Sequence, residues 1–228
     1  MEFLSPPFWV AAFQIIVINI LLSGDNAVVI ALACRNLPPT QRRWGIIWGA
    51  VGAIVLRIIL TFFAVQLLEL PYLKIVGGVL LLWIGVKLIA EDEGDGPDIK
   101  ASDRLLAAVK TVIVADLVMS IDNVLAVAAA AKGSLVLLIF GLVVSIPLVV
   151  IGSQLIMKLV ERMPWLVIAG GGLLGYIAGE IAIEDVTVKP WVTANAPWLH
   201  YGAPIAGIVI VVAVGLWLTR RQRRPAVN

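Results

Sequence analysis

The chain has 228 residues, of which 61% are hydrophobic and 14% charged, with a formal net charge of +2 and a mean hydropathy of +1.03. Soluble domains carry about 25% charged residues and cannot internalise this much apolar surface, so a soluble globular protein is excluded and lipid is the solvent for most of the chain. The basic residues are scattered rather than gathered on one face or arm, so no nucleic-acid partner is expected.

A hydrocarbon core of about 30 Å needs roughly 20 apolar residues per helix. Seven stretches qualify: about 9–34, 44–68, 72–90, 105–130, 133–160, 164–183 and 201–219. Their continuity predicts helices rather than the short alternating strands of a membrane barrel. Met1-Glu2-Phe3 offers no basic n-region, so no cleaved signal peptide is expected. Cys34 is a single cysteine and supports no intramolecular disulfide. Trp9, Trp44, Trp165, Trp198 and Trp217 stand at span ends, where amphipathic rings favour the membrane interface. Basic loops stay cytoplasmic. Arg35, Arg42, Arg43, Lys100, Arg104, Lys158, Arg162 and the tail Arg220, Arg221, Arg223 and Arg224 share one side; Lys74, Lys132 and Lys189 lie on the other. This predicts a multi-pass cell-membrane protein with its N-terminus outside and its C-terminus cytoplasmic.

The chain also repeats itself. A shift of 97 places Asn19 on Asp116, Ser23 on Ser120, Asp25-Asn26 on Asp122-Asn123 and Ala31 on Ala128. After a shorter loop, a shift of 93 places Pro71 on Pro164, Gly77-Gly78 on Gly170-Gly171 and Glu91-Asp92 on Glu184-Asp185. Each half holds three helices, an odd number, so the second half enters the membrane from the opposite side. The expected organisation is a first repeat over 1–92, an acidic cytoplasmic linker over 93–104, a second and inverted repeat over 105–185, and an outer loop, seventh helix and basic tail over 186–228. Inverted repeats around a polar midplane site recur in secondary transporters.

Ionisable residues inside lipid cost about 2.5–3.5 kcal/mol each on insertion scales, so their positions are informative. The first helix holds Asn19, Ser23, Asp25 and Asn26, the fourth holds Asp116, Ser120, Asp122 and Asn123, and the second adds Arg57 near its centre. Residues 19, 23 and 26, like 116, 120 and 123, follow helical spacing along one face. Asp25 and Asp122 fall about 100° off that stripe in an ideal helix. A local break at Gly24 would bring Asp25 onto it; the counterpart Ile121 offers no such break. Serines and amides also hold helices together in lipid, a role open to Ser23, Ser120 and Asn19.

Carboxylates and amides form an oxygen-rich site suited to magnesium, calcium or manganese; copper or zinc would favour sulfur and imidazole, for which the chain offers one cysteine, Cys34, at the end of the first helix and one histidine, His200, expected outside. The candidate metal ligands are Asp25, Asn26, Asp122, Asn123, Asp116 and Asn19, with Arg57 as counter-ion. At 1.5 Å per residue, Asp25 falls roughly 5 Å inward of its span's middle, Asp122 roughly 7 Å outward, Asn19 roughly 4 Å outward and Asp116 roughly 2 Å inward. The expected pairs are therefore crosswise, Asp25 with Asp116 and Asn19 with Asp122. With three aspartates ionised, Arg57 leaves the site at minus two, which one divalent cation would neutralise. An empty cluster of anions in a low dielectric draws protons, so metal leaving in exchange for entering protons is the expected mechanism. The metal is substrate rather than cofactor, and no enzymatic activity is expected.

Ser23-Gly24-Asp25-Asn26-Ala27 in the first helix and Ser120-Ile121-Asp122-Asn123-Val124 in the fourth resemble the paired motifs of the TerC family, integral membrane proteins named for tellurite resistance. The resemblance covers about residues 9–219, and the length is similar to that of the family's short YjbE-like branch. It implies kinship with LysE-type exporters and, in several branches, manganese efflux, with Asp25, Asn26, Asp122 and Asn123 as metal ligands. Asp116 matches the acidic position upstream of the second motif, whereas its equivalent Asn19 is neutral, so the half-sites need not be equal. Two other functions compete with transport. An intramembrane aspartyl protease also sets two aspartates on different helices, but Leu22-Ser23-Gly24 precedes Asp25 where a Gly-x-Gly-Asp element would be needed. A non-transporting membrane component of a metal or tellurite stress complex would give no manganese uptake when purified alone.

Overall fold

The computed structural model describes residues 6–21, 24–90, 101–131 and 134–222, which are helical with short connections and, among the described residues, contain no strand. In lipid every backbone N–H and C=O must be bonded internally, which favours helices wherever the sequence is continuously apolar. The elements are α1 (Pro6–Leu21), α2 (Gly24–Cys34), α3 (Pro39–Phe62), α4 (Ala64–Leu68), α5 (Leu73–Ala90), α6 (Ala101–Ala131), α7 (Leu135–Arg162), α8 (Trp165–Ile183), α9 (Lys189–Asn195) and α10 (Leu199–Gln222). Five described helices, α3, α5, α7, α8 and α10, are long and apolar enough to cross a membrane, and Phe8–Ile18 and Gly24–Cys34 form shorter apolar helices.

The described helices differ from the expected spans in three places. The first stretch is two helices, with α1 ending at Leu21 and α2 opening at Gly24; Leu22 and Ser23 lie outside the described residues. The second stretch divides at Phe63, which ends α3 with its N–H on the Leu60 carbonyl at 3.0 Å, two residues after Thr61 donates its hydroxyl to the Arg57 carbonyl at 2.7 Å. The linker expected to reach residue 104 ends earlier, because α6 begins at Ala101 with Asp103 in its first turn, where a carboxylate favours the helix dipole. Residues 91–100 lie outside the described residues. Helix α7 runs through Pro147, with Ser145 and Ser153 hydroxyls bonded to the Gly141 and Val149 carbonyls.

The chain forms two compact units, Met1–Glu69 with Arg104–Lys158, and Leu70–Asp103 with Leu159–Asn228. In the first unit, one apolar cluster joins Phe8, Ala12 and Ile15 of α1 to Val127 of α6 and Leu137 and Leu142 of α7. Another joins Ile30 and Cys34 of α2 to Ile46 of α3, Val112 of α6 and Met157 of α7. Along α6, residues 116–123 fall between the two clusters; Asn26 does so at the start of α2. Close helix approaches use glycine: Gly49 of α3 lies against Val112 of α6, and Gly141 of α7 against Ile15 of α1.

In the second unit α5, α8 and α10 pack on one another. Gly78 of α5 lies against the Ala178 carbonyl and Ala182 of α8, while Gly171 of α8 lies against the Gly85 carbonyl and Ile89 of α5. A Cβ on Gly207 of α10 would overlap the Gly175 carbonyl oxygen of α8, the close backbone approach that small residues permit between membrane helices. Asp185, fully buried after α8, ties down the start of α5. Its Oδ1 accepts the Tyr72 N–H at 3.1 Å and the Thr187 N–H and hydroxyl at 3.0 and 2.5 Å, and its Oδ2 accepts the Lys74 N–H at 3.1 Å. Burial alone would raise this carboxyl, but the hydrogen bonds from Thr187, Tyr72 and Lys74 outweigh it and hold the group below the ordinary carboxylate range. The clasp also holds Tyr72 at φ 64, a left-handed conformation uncommon for a side chain of this size.

Candidate metal site

The polar residues of the first unit converge where α2, α3 and α6 meet. Arg57 of α3 is 2% exposed, Asp116 of α6 is 4% exposed and Ser120 is fully buried. The guanidinium Nη2 donates to Asp116 Oδ1 at 2.8 Å and Nε donates to Ser120 Oγ at 3.0 Å, while the Ser120 hydroxyl donates to Asp116 Oδ2 at 3.1 Å. The four-residue spacing of Asp116 and Ser120 puts both on one face of α6, and the planar fork of arginine reaches the two together. Arginine keeps its charge at any accessible pH.

Asn26 and Asp25 come from the first turn of α2. Asp25 is half-buried and its Oδ1 accepts the Asn26 backbone N–H at 2.8 Å; both Arg57 and Asp116 lie within its electrostatic reach. Asn26 is 6% exposed, and its side-chain Oδ1 is buried without a hydrogen-bond partner. An unsatisfied buried acceptor costs about 1–3 kcal/mol, so this oxygen is held ready for a donor or a cation. Asn26, Arg57 and Asp116 line one small, partly open cavity with Val29, Ile30, Ala50, Ala53, Ile54, Val112 and Val149, with room for a water-sized guest.

Of the residues singled out from the sequence, Asp25, Asn26, Asp116 and Arg57 are thus brought together. Asn123 is half-buried on α6. The side chains of Asn19 and Asp122, like Ser23, lie outside the described residues. Among the described residues no three His, Cys, Asp or Glu side chains gather as a metal cluster; the oxygens here come from two carboxylates and an amide. Arg57, expected as counter-ion, engages the upstream Asp116. Two features escaped the sequence reading. Ser120 completes that contact. The apolar wall includes Ala50 and Ala53, whose signal was the spacing 46, 50, 53, 57 along the buried face of α3.

Residues 4–223 match the integral membrane protein TerC family. Among relatives, the uncharacterized membrane protein YjbE of Bacillus subtilis is 45% identical over 216 residues, covering 95% of this chain and 98% of its own. YceF of the same organism is 29% identical over 187 residues, covering 78% and 72%. The inner membrane protein YgdQ of Escherichia coli K12 is 25% identical over 177 residues, covering 70% and 74%. No solved structure matches. With almost its full length aligned to the family and to a relative of the same size, this multi-pass chain belongs to the TerC family of integral membrane proteins.

Proposed function

We propose that the protein is a divalent metal transporter that exports manganese in exchange for protons through the site at Asp25, Asn26 and Asp116, with Asn19, Asp122 and Asn123 forming the equivalent half-site. The carrying observation is the Asn26 Oδ1, buried and without a partner on a cavity that Asp116 also lines. Carboxylate and amide oxygens are hard ligands suited to such a cation, and apolar clusters pack on either side of them along α6. Metal and protons compete for the same carboxylates, which supplies the coupling.

The transport architecture is seven spans, with α1 and α2 forming one of them and α6 another, N-terminus outside and C-terminus cytoplasmic. Two sets of contacts support an inverted repeat. Adding 93 to 78, 85 and 89 gives 171, 178 and 182. The register thus carries Gly78 against Ala178 and Ala182 onto Gly171 against Gly85 and Ile89. In the first unit, adding 97 to 15 gives 112 and adding 92 to 49 gives 141, which exchanges the Ile15–Gly141 contact with Val112–Gly49. Reciprocal contacts of this kind are what a two-fold axis between the halves produces.

The test is a metal panel in proteoliposomes holding the purified protein and an internal pH-sensitive dye. Manganese flux accompanied by opposite proton movement is expected, and Asp25→Ala or Asp122→Ala should abolish it. Flux surviving either substitution refutes the site, and its absence in the unaltered protein refutes transport by this chain alone.

A further inference from the structure

The Arg57–Asp116–Ser120 contact has a chemistry that metal binding would have to undo. Both Asp116 oxygens are engaged, Oδ1 by the guanidinium and Oδ2 by the Ser120 hydroxyl, whereas Asn26 Oδ1 on the same cavity is open. One ligand is ready and the other is occupied by a cation that belongs to the protein. The cavity between them admits only a small guest, so an entering ion meets the guanidinium at once. Where α3 carries Arg57, the register 49 to 141 puts Val149 on α7, so the position in the other half has no charge.

We propose that Arg57 is a tethered stand-in for the transported cation: it neutralises Asp116 while the site is empty and must leave Asp116 and Ser120 before that carboxylate can ligate metal. The inference rests on the transport reading and deepens it. A divalent ion displaces the guanidinium because it carries twice the charge against the same carboxylate, and on release the guanidinium returns. Arg57 thereby stabilises the unloaded protein, the form that must recross the membrane after delivery. One-for-one exchange of metal empties the site on each side but never requires the empty protein to recross, whereas net efflux does.

The experiment uses full-length protein in proteoliposomes with manganese as the probe. It compares net efflux into metal-free buffer with exchange of labelled for unlabelled manganese, and adds equilibrium binding in detergent. Arg57→Gln should bind manganese about tenfold more tightly, equivalent to about 1.4 kcal/mol, and the ratio of net efflux to exchange should fall by roughly tenfold. Arg57→Lys keeps the charge but cannot span Asp116 and Ser120 with one planar fork, so it should keep the flux ratio near the unaltered value and bind several-fold tighter. An unchanged flux ratio in Arg57→Gln, or weaker binding in either variant, overturns the proposal. If Arg57→Gln does not fold, the affinity of Arg57→Lys decides alone: tighter supports it, unchanged or weaker overturns it. Unaltered protein that neither binds nor moves manganese refutes the transport reading and this inference with it; normal flux with indifferent variants refutes the inference only.

Discussion

Replacing Asp116 by alanine strands the Arg57 guanidinium, 2% exposed, without the carboxylate now 2.8 Å away. It also takes from Ser120 the acceptor at 3.1 Å. Breaking a buried pair by removing one partner costs about 3–5 kcal/mol, because the remaining charge stays desolvated. In a chain of this length each kcal/mol shifts the unfolding midpoint by about 2–4 °C, so a fall of roughly 6–20 °C is expected. Cys34 is buried and is the chain's single cysteine; a thiol-reactive dye in detergent therefore reports unfolding without further labelling. The double variant Arg57→Gln with Asp116→Asn removes both charges and keeps polar groups of similar shape, so it should recover most of the loss. A midpoint for Asp116→Ala within about 2 °C of the unaltered protein, or a double variant no better than the single, would refute the account of this contact.

The same dye assay tests the second unit. Asp185→Asn should lower stability at neutral pH by about 1–3 kcal/mol, since the acceptor of charged hydrogen bonds is lost. The folded carboxyl titrates below the unfolded value of about 3.9. The advantage of aspartate over asparagine is therefore full above that value and vanishes as pH falls through the lowered folded one; a pH-independent difference would contradict the clasp. Gly207→Val should force α8 and α10 apart and cost about 1–3 kcal/mol or more, whereas Gly24→Ala, with nothing within 4 Å of the added Cβ, should be tolerated. Equal midpoints for the two glycine variants would show that the backbones do not approach as described.

Much of this organisation was legible because lipid penalises charge. Asp25, Asp116 and Arg57 were conspicuous in apolar runs; Asp116 and Arg57 line one cavity with Asn26, the neighbour of Asp25. Partner choice was not legible, since depth counted along separate helices ranks Asp25 and Asp116 as neighbours but does not show that the guanidinium from α3 settles on Asp116. Helix ends were misjudged where polar turns continue the helix past the apolar run, as at Pro39–Arg43 before the expected start of 44, and at Gln222 beyond 219. The break at Phe63 carries no proline or glycine signal. Asp185 passed as a repeat match beside Glu184; its role depends on a partner 113 residues earlier in the chain.

The central claim is that buried oxygens from α2 and α6 hold a divalent cation, and the most direct measurement is manganese binding to the purified protein, followed by the loss of the free-ion electron paramagnetic resonance signal. The unaltered protein should bind saturably, and Asn26→Ala, which removes the open Oδ1 while leaving the Arg57–Asp116 pair intact, should weaken binding about tenfold or more. Equal manganese affinity in the two proteins would contradict the account.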